Sequence, residues 1–198
     1  MRRYYVNEIF YSLQGEGVRA GTPNVFLRFG RCNLECRRET EGFDCDTEFE
    51  SGRWLEGPEI LAELRACDHD CGWVVLTGGE PALQVDLDLI EALHAAGYRL
   101  AIETNGTREL PAGIDWITVS PKVAEHAIRQ RTADEVKYVR GYGQALPRTV
   151  VAAAHQVVSP AFDGAEVDAR ALDWCIRLCK DNPRWRLSVQ QHKLWQIR

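Results

Sequence analysis

Short β-branched and aromatic runs alternate along this chain with longer stretches whose apolar positions recur every three or four residues. The short runs are Tyr4 to Tyr11, Asn24 to Phe29, Trp73 to Thr77, Arg99 to Thr104, Trp116 to Ser120, Val136 to Arg140, His155 to Ser159 and Arg186 to Gln190. Gly, Pro or Asn bounds most of them, which marks them as strands. Helices are predicted between several of these. Pro58 occupies a first-turn position, where its missing N–H costs nothing, and opens Glu59 to Ala66. Leu89, Ile90 and Leu93 share one face of Leu87 to Ala96, which stops at Gly97. A third helix is expected from Asp168 to Lys180, ending at Asn182-Pro183.

Strands alternating with crossover helices predict an α/β fold on a parallel sheet, and such sheets carry their sites at the carboxyl ends of the strands. The chemically loaded segments fall there. Gly78-Gly79-Glu80-Pro81 follows one strand, Glu103-Thr104-Asn105-Gly106 closes another, and Ser120-Pro121-Lys122 and Ser159-Pro160 end two more. Helices are too few for a closed eightfold barrel, and residues 123–154 are weakly patterned. The expectation is a partial, open TIM-like barrel of about six parallel strands with few helices. No repeat, low-complexity tract or linker divides residues 1–198, so one domain is expected, with a cysteine loop at 30–48.

Composition narrows the function classes. An apolar content of 45% over 198 residues is enough for a real core. A net charge of −5 argues against a general nucleic-acid binder, whose affinity comes from clustered Lys and Arg. No apolar stretch approaches the roughly 18 residues of a membrane span, and Met1-Arg2-Arg3 is followed by Asn7 and Glu8 rather than a signal-peptide run. A soluble, cytoplasmic protein is expected, with no membrane partner. Seven cysteines without export signals fit a reducing compartment, where thiols bind metal or fill cores.

Three of those cysteines are closely spaced: Cys32, Cys36 after three residues, and Cys45 after eight more, followed by Asp46-Thr47. Three thiolates can hold three irons of a 4Fe-4S cluster and leave the fourth open to a small molecule. A structural zinc would need a fourth ligand, which Asp46 or a distant His could supply. Two glycines after a strand, at Thr77-Gly78-Gly79-Glu80-Pro81, let backbone groups approach a charged head group closely. Cys175 and Cys179 stand one helical turn apart among apolar neighbours and read as core packing, while Cys67 and Cys71 flank a polar connection without a third thiol.

The three-cysteine loop followed by Gly-Gly-Glu-Pro resembles the radical S-adenosylmethionine superfamily. The resemblance implies a 4Fe-4S cluster on Cys32, Cys36 and Cys45 whose unique iron chelates the amino and carboxyl groups of S-adenosylmethionine. Reductive cleavage of the sulfonium then yields a 5′-deoxyadenosyl radical. The superfamily usually has two residues where this loop has eight; looping out 37–44 costs well under ~1 kcal/mol of added closure entropy.

One branch is matched over nearly the whole chain. Gln14-Gly15-Glu16-Gly17, Phe26-Leu27-Arg28-Phe29, Cys45-Asp46-Thr47, Ile102-Glu103-Thr104-Asn105-Gly106, Val119-Ser120-Pro121-Lys122 and Gln191-His192-Lys193 resemble the 7-carboxy-7-deazaguanine synthases of the 7-deazapurine (queuosine) pathway. That resemblance implies a carbon-nitrogen lyase that contracts the ring of 6-carboxy-5,6,7,8-tetrahydropterin, with loss of ammonia and with S-adenosylmethionine regenerated. It assigns substrate contacts to Gln14, Glu16, Arg28, Thr77, His192 and the terminal carboxylate of Arg198. It assigns S-adenosylmethionine contacts to Gly78, Gly79, Glu80, Glu103, Asn105, Ser120 and Lys122, with Ser159 toward the adenosyl group, and Mg2+ to the Thr47 hydroxyl. Homodimers and a flavodoxin or ferredoxin reductant are also usual among such enzymes.

The residue types suit those roles. A pterin edge is a row of donors and acceptors that a carboxylate and an amide can read, and a buried mismatch costs roughly 1 to 3 kcal/mol. A guanidinium fork at Arg28 fits a carboxylate. Read without the resemblance, Gln14 and Glu16 are a solvated loop, Arg28 a surface cation on an edge strand and His192 a packed or solvated tail side chain, while Thr77 is as readily a plain strand threonine and Lys122 a turn residue. Asp46 either ligates Mg2+ through water or caps its loop. Two rivals stand beside this reading: another radical S-adenosylmethionine enzyme, such as a glycyl-radical activase, and a non-catalytic zinc or iron-sulfur module.

Overall fold

The computed structural model describes residues 2–37, 45, 47–67, 69–164 and 166–198. Strand β1 (Arg3–Leu13) pairs antiparallel with β2 (Pro23–Phe29) on one edge and with β3 (Arg53–Glu56) on the other. From β2 the sheet continues in parallel through β4 (Trp73–Gly78), β5 (Arg99–Thr104), β6 (Trp116–Val119), β7 (Thr132–Arg140) and β8 (Ala152–Pro160). A small ribbon of β9 (Phe162–Asp163) and β10 (Glu166–Val167) follows, and β11 (Trp185–Leu187) adds to β8 in parallel. The order is β11-β8-β7-β6-β5-β4-β2-β1-β3. Seven strands are therefore parallel, and β11 and β3 are its two edges, as an open partial barrel requires.

Each predicted run is a strand, and the differences have local causes. Tyr4 to Tyr11 belongs to an antiparallel arm, because only a short excursion separates it from β2 and a parallel return needs a crossover of a dozen residues or more. The final strand ends at Leu187 because the chain then turns over the cleft, where the Ser188 hydroxyl accepts the Gly17 N–H at 2.8 Å. Strand β3 escaped prediction; at four residues it is too short to show a period.

Helices α1 (Gly57–Cys67), α2 (Leu87–Ala95) and α3 (Ala169–Asp181) match the three expected ones. Asp86 caps α2 by accepting the Leu89 N–H at 3.0 Å, and Tyr98 N–H returns to Leu93 carbonyl beyond left-handed Gly97. A one-turn helix, α4 (Gln191–Trp195), lies in the C-terminal tail. No helix among the described residues is long and apolar enough to cross a membrane.

Strand alternation decides which side chains build the core and which face the site. Val25, Leu27, Phe29, Val74, Leu76, Leu100 and Ile102 pack with Ile60 and Leu64 of α1 and Leu89, Ile90 and Leu93 of α2. The intervening positions, Phe26 and Arg28, Thr77 and Glu103, point to the opposite face and line a cleft. Cys175 is fully buried, its sulfur 3.8 Å from the Arg140 carbonyl, and burial pushes its thiol up to about 12. Cys67 and Cys71 pack against the main core, so these thiols serve packing.

Candidate active site

The cleft has a volume of about 500 Å³ and is lined by the ends of β1, β2, β4, β5, β7 and β8, by the cysteine loop and by the C-terminal tail. Cys32, Cys36, Cys45, Thr47, Gln14, Glu16, Arg28, Thr77, Gly78, Gly79, Glu103, Asn105, Ser120, Lys122, Ser159, His192 and Arg198 all contribute to its wall. Of the side chains expected at the site, Glu80 is the exception.

The cysteine loop leaves the end of β2. Cys45 N–H donates to the Cys36 carbonyl at 3.4 Å, which closes the loop, and Leu34 N–H donates to the Cys32 sulfur at 3.4 Å. Among the described residues no three His, Cys, Asp or Glu side chains converge as a single bound ion would require. Each thiol of a 4Fe-4S cluster takes its own iron, and the three cysteines that share this wall of the cleft are donors of the kind such a cluster needs. Residues 38–44, the looped-out portion, and Asp46 lie outside the described residues.

The Gly-Gly-Glu turn has a structural task of its own. Gly78 has φ +127, and a Cβ there would lie 2.0 Å from the Phe29 carbonyl oxygen; one on Gly79 would lie 2.1 Å from that of Arg31. These glycines let β4 close against the root of the cysteine loop, with Gly79 N–H on Phe29 and Glu80 N–H on Arg31. Glu80, expected to contact the cofactor, is wholly buried away from the cleft. Its carboxylate accepts from Thr104 Oγ1 at 2.6 Å, Asn105 N–H at 2.7 Å and Ala82 N–H at 2.9 Å, while burial pushes its pKa up. It braces the β4 and β5 ends together. Asn105 continues the brace: its amide donates to Asn33 Oδ1 at 3.1 Å, and its oxygen accepts from Thr107.

Opposite lies the Gln14-Gly15-Glu16-Gly17 turn. Gln14 is buried and donates to Glu103 Oε1 at 3.2 Å. A Cβ on Gly15 would fall 2.1 Å from His192 Nδ1, so the tail closes onto it, and Gln191 N–H donates to its carbonyl at 2.8 Å. Glu16 accepts from the Lys137 ammonium and from Gln190 Nε2 at 2.7 Å. Burial alone would raise its pKa, but the Lys137 charge and these hydrogen bonds hold it at about 2. Glu103 lies 3.4 Å from the same ammonium. Burial pushes Glu103 up to about 7, with Lys137 opposing and Glu135 and Glu16 adding to the rise.

Arg28 ion-pairs with Glu8, Nε to Oε1 at 3.0 Å, yet that buried Nε makes no hydrogen bond. The Arg198 guanidinium meets the other oxygen of Glu8, and both guanidiniums stand over the Phe10 ring, at 5.6 and 5.0 Å. Phe10 stacks on Phe26 at 5.0 Å to form an aromatic wall. Two guanidiniums beside an aromatic face fit a planar ligand bearing a carboxylate. Lys122 donates to Ser120 at 2.6 Å, and Ser159 is buried beside Val139 in the β7–β8 register.

Sequence reasoning missed Lys137 and Gln190. Lys137 did leave a signal: a lysine between Val136 and Tyr138, inside a strand of a parallel sheet, is a buried charge that requires a partner. The partner, Glu16, is remote in the chain.

No family model matches the chain. A 7-carboxy-7-deazaguanine synthase of Bradyrhizobium diazoefficiens is 44% identical over 98% of this chain and 99% of its own. The enzyme of that name from Bacteroides thetaiotaomicron is 44% identical over 98% of each chain. The crystal structure of QueE from Escherichia coli superposes with a TM-score of 0.71 at 26% identity, covering 96% of this chain and 95% of that one.

Proposed function

The chain belongs to the 7-carboxy-7-deazaguanine synthase family, and on that premise we propose how its cleft works. The reaction is the conversion of 6-carboxy-5,6,7,8-tetrahydropterin to 7-carboxy-7-deazaguanine with loss of ammonia, a radical ring contraction of queuosine biosynthesis. The observation that supports it is that the three thiols and the Gln14, Glu16 and Arg28 set open into one cleft.

Cys32, Cys36 and Cys45 would hold the 4Fe-4S cluster, which with S-adenosylmethionine supplies the one-electron chemistry. The chain's own residues bind and orient. Glu16, kept ionised, accepts hydrogen bonds from the donor edge of the pterin, and Gln14 and His192 border the same ring. Arg28, whose guanidinium lines the cleft, takes the substrate carboxylate, Arg198 closes the mouth above Phe10, and Thr77 lines the floor. Gly78 and Gly79 present backbone to the methionine head group, and Glu103, Asn105, Ser120, Lys122 and Ser159 surround the rest of the cofactor. The Thr47 hydroxyl and substrate oxygens would bind Mg2+, which keeps its remaining waters. Residues 1–198 act as one radical S-adenosylmethionine domain, and family likeness adds a cytoplasmic homodimer reduced by flavodoxin or ferredoxin.

Anaerobic reconstitution tests this. The expected result is a brown protein with about four irons and four sulfides per chain that releases 7-carboxy-7-deazaguanine when given substrate, S-adenosylmethionine and reductant. A cluster-loaded protein that cleaves S-adenosylmethionine but forms no deazaguanine would overturn it.

A further inference from the structure

Lys137 belongs to no motif, yet it is the charge on which the polar side of the cleft turns. Its side chain is 8% exposed, and its ammonium reaches Glu16 directly and Glu103 at 3.4 Å. Glu135, two residues earlier on β7 and buried, accepts Val18 N–H at 2.6 Å and acts on the same ammonium. Arg19 faces Glu103 and Glu135, with Arg99 behind it, and His192 faces Glu16.

Three carboxylates, Glu135 buried and Glu16 and Glu103 mostly so, face this one ammonium, and a carboxylate left without a cation in such a place takes up a proton. Lys137 leans toward Glu16, whose other oxygen is already held by Gln190. This choice has a chemical consequence. An ionised carboxylate only accepts hydrogen bonds, whereas a protonated one turns a donor toward the donors of a pterin edge.

We propose that Lys137 is a positioning residue that keeps Glu16 an ionised acceptor for the pterin and ties it to Glu103 on the cofactor side. The proposal rests on the substrate reading above. It separates Lys137 from a residue that merely balances charge for folding, because it predicts a pH profile of ligand binding.

The test uses cluster-loaded protein under anaerobic conditions without reductant, so that binding of 6-carboxytetrahydropterin is read by calorimetry with no turnover. All variants are compared in a Glu103→Gln background, because burial pushes the Glu103 carboxyl up to about 7. With Lys137 in place the affinity then changes less than about 3-fold between pH 5.5 and 8.5, since a Glu16 ionised down to about pH 2 does not titrate there. In Lys137→Met, burial governs Glu16, affinity at pH 7 falls about 10-fold or more, and it falls further with each step toward acid. Lys137→Arg restores the flat profile. S-adenosylmethionine binds Lys137→Met about 3-fold more weakly. A Lys137→Met protein with undiminished affinity and a flat profile would overturn the proposal. Should that variant not fold, infrared difference spectra of wild type against Glu16→Gln decide: a carboxylate band at pH 5.5 supports it, and a protonated carbonyl band sinks it. If wild type binds no pterin, the substrate reading fails, and the infrared result still reports on Glu16.

Discussion

Around the cysteine loop the chain holds itself by backbone contacts, whereas around Gln14 and Glu16 it holds itself by buried charge. On the first side Gly78, Gly79 and Glu80 press the end of β4 against the Phe29 and Arg31 carbonyls, and Glu80 spends both carboxylate oxygens on N–H and O–H donors of its own chain. On the second side Lys137 of β7 meets Glu16 beyond β1 and Glu103 of β5, and the tail supplies Gln190. The first arrangement resists displacement because any added atom collides with main chain. The second is adjustable, because its energy depends on which carboxylates are ionised.

The largest effect is expected where backbone leaves no room. Gly78→Ala puts a methyl 2.0 Å from Phe29 O at a φ of +127. Clash and left-handed strain together should cost about 3 kcal/mol or more, a large part of a typical domain's stability. Chemical denaturation would register it as a lowered midpoint together with loss of bound iron. A variant of unchanged midpoint would mean that β4 and the cysteine loop do not meet as described.

A smaller, pH-dependent effect is expected on the charged side. The Glu103 pKa in the folded chain is pushed up to about 7 from 4.5. Between those values the folded state binds the proton that the unfolded state has released, so stability falls as pH rises from about 4.5 to about 7, and this loss levels off above. Glu103→Gln, which cannot titrate, should flatten that part of the melting-temperature profile while weakening S-adenosylmethionine binding. An undiminished slope would place the titration elsewhere.

The smallest effect belongs to a thiol outside the cleft. Cys175→Ala removes a buried sulfur from α3 and should cost about 1 kcal/mol in unfolding free energy, with iron content unchanged. A loss of iron would mean that the division between packing and cluster thiols is wrong.

The legible half of the site is the one whose constraints are local. Glycines beside a strand end, cysteines a few residues apart and a proline that opens a helix restrict their neighbours whatever the rest of the chain does. Strand and helix positions were likewise readable, since short β-branched runs such as Val74 to Leu76 and the Leu89, Ile90 and Leu93 face carry their own signature. Short β3 and the one-turn α4 were not, because neither is long enough to show a period.

What the sequence determined by itself was therefore the order of the longer strands and helices, the open parallel sheet, the trio of cysteines and those cleft residues that lie within its short motifs. Only the tertiary structure decided that the Glu80 carboxylate braces the ends of β4 and β5, that Gly78 and Gly79 let β4 close against protein backbone, and that Lys137 stands between Glu16 and Glu103. The physical reason is range. Dihedral preferences and side-chain periods act over a few residues, whereas the state of a buried charge is set by whichever groups the fold carries within a few ångströms, here from positions more than a hundred residues apart.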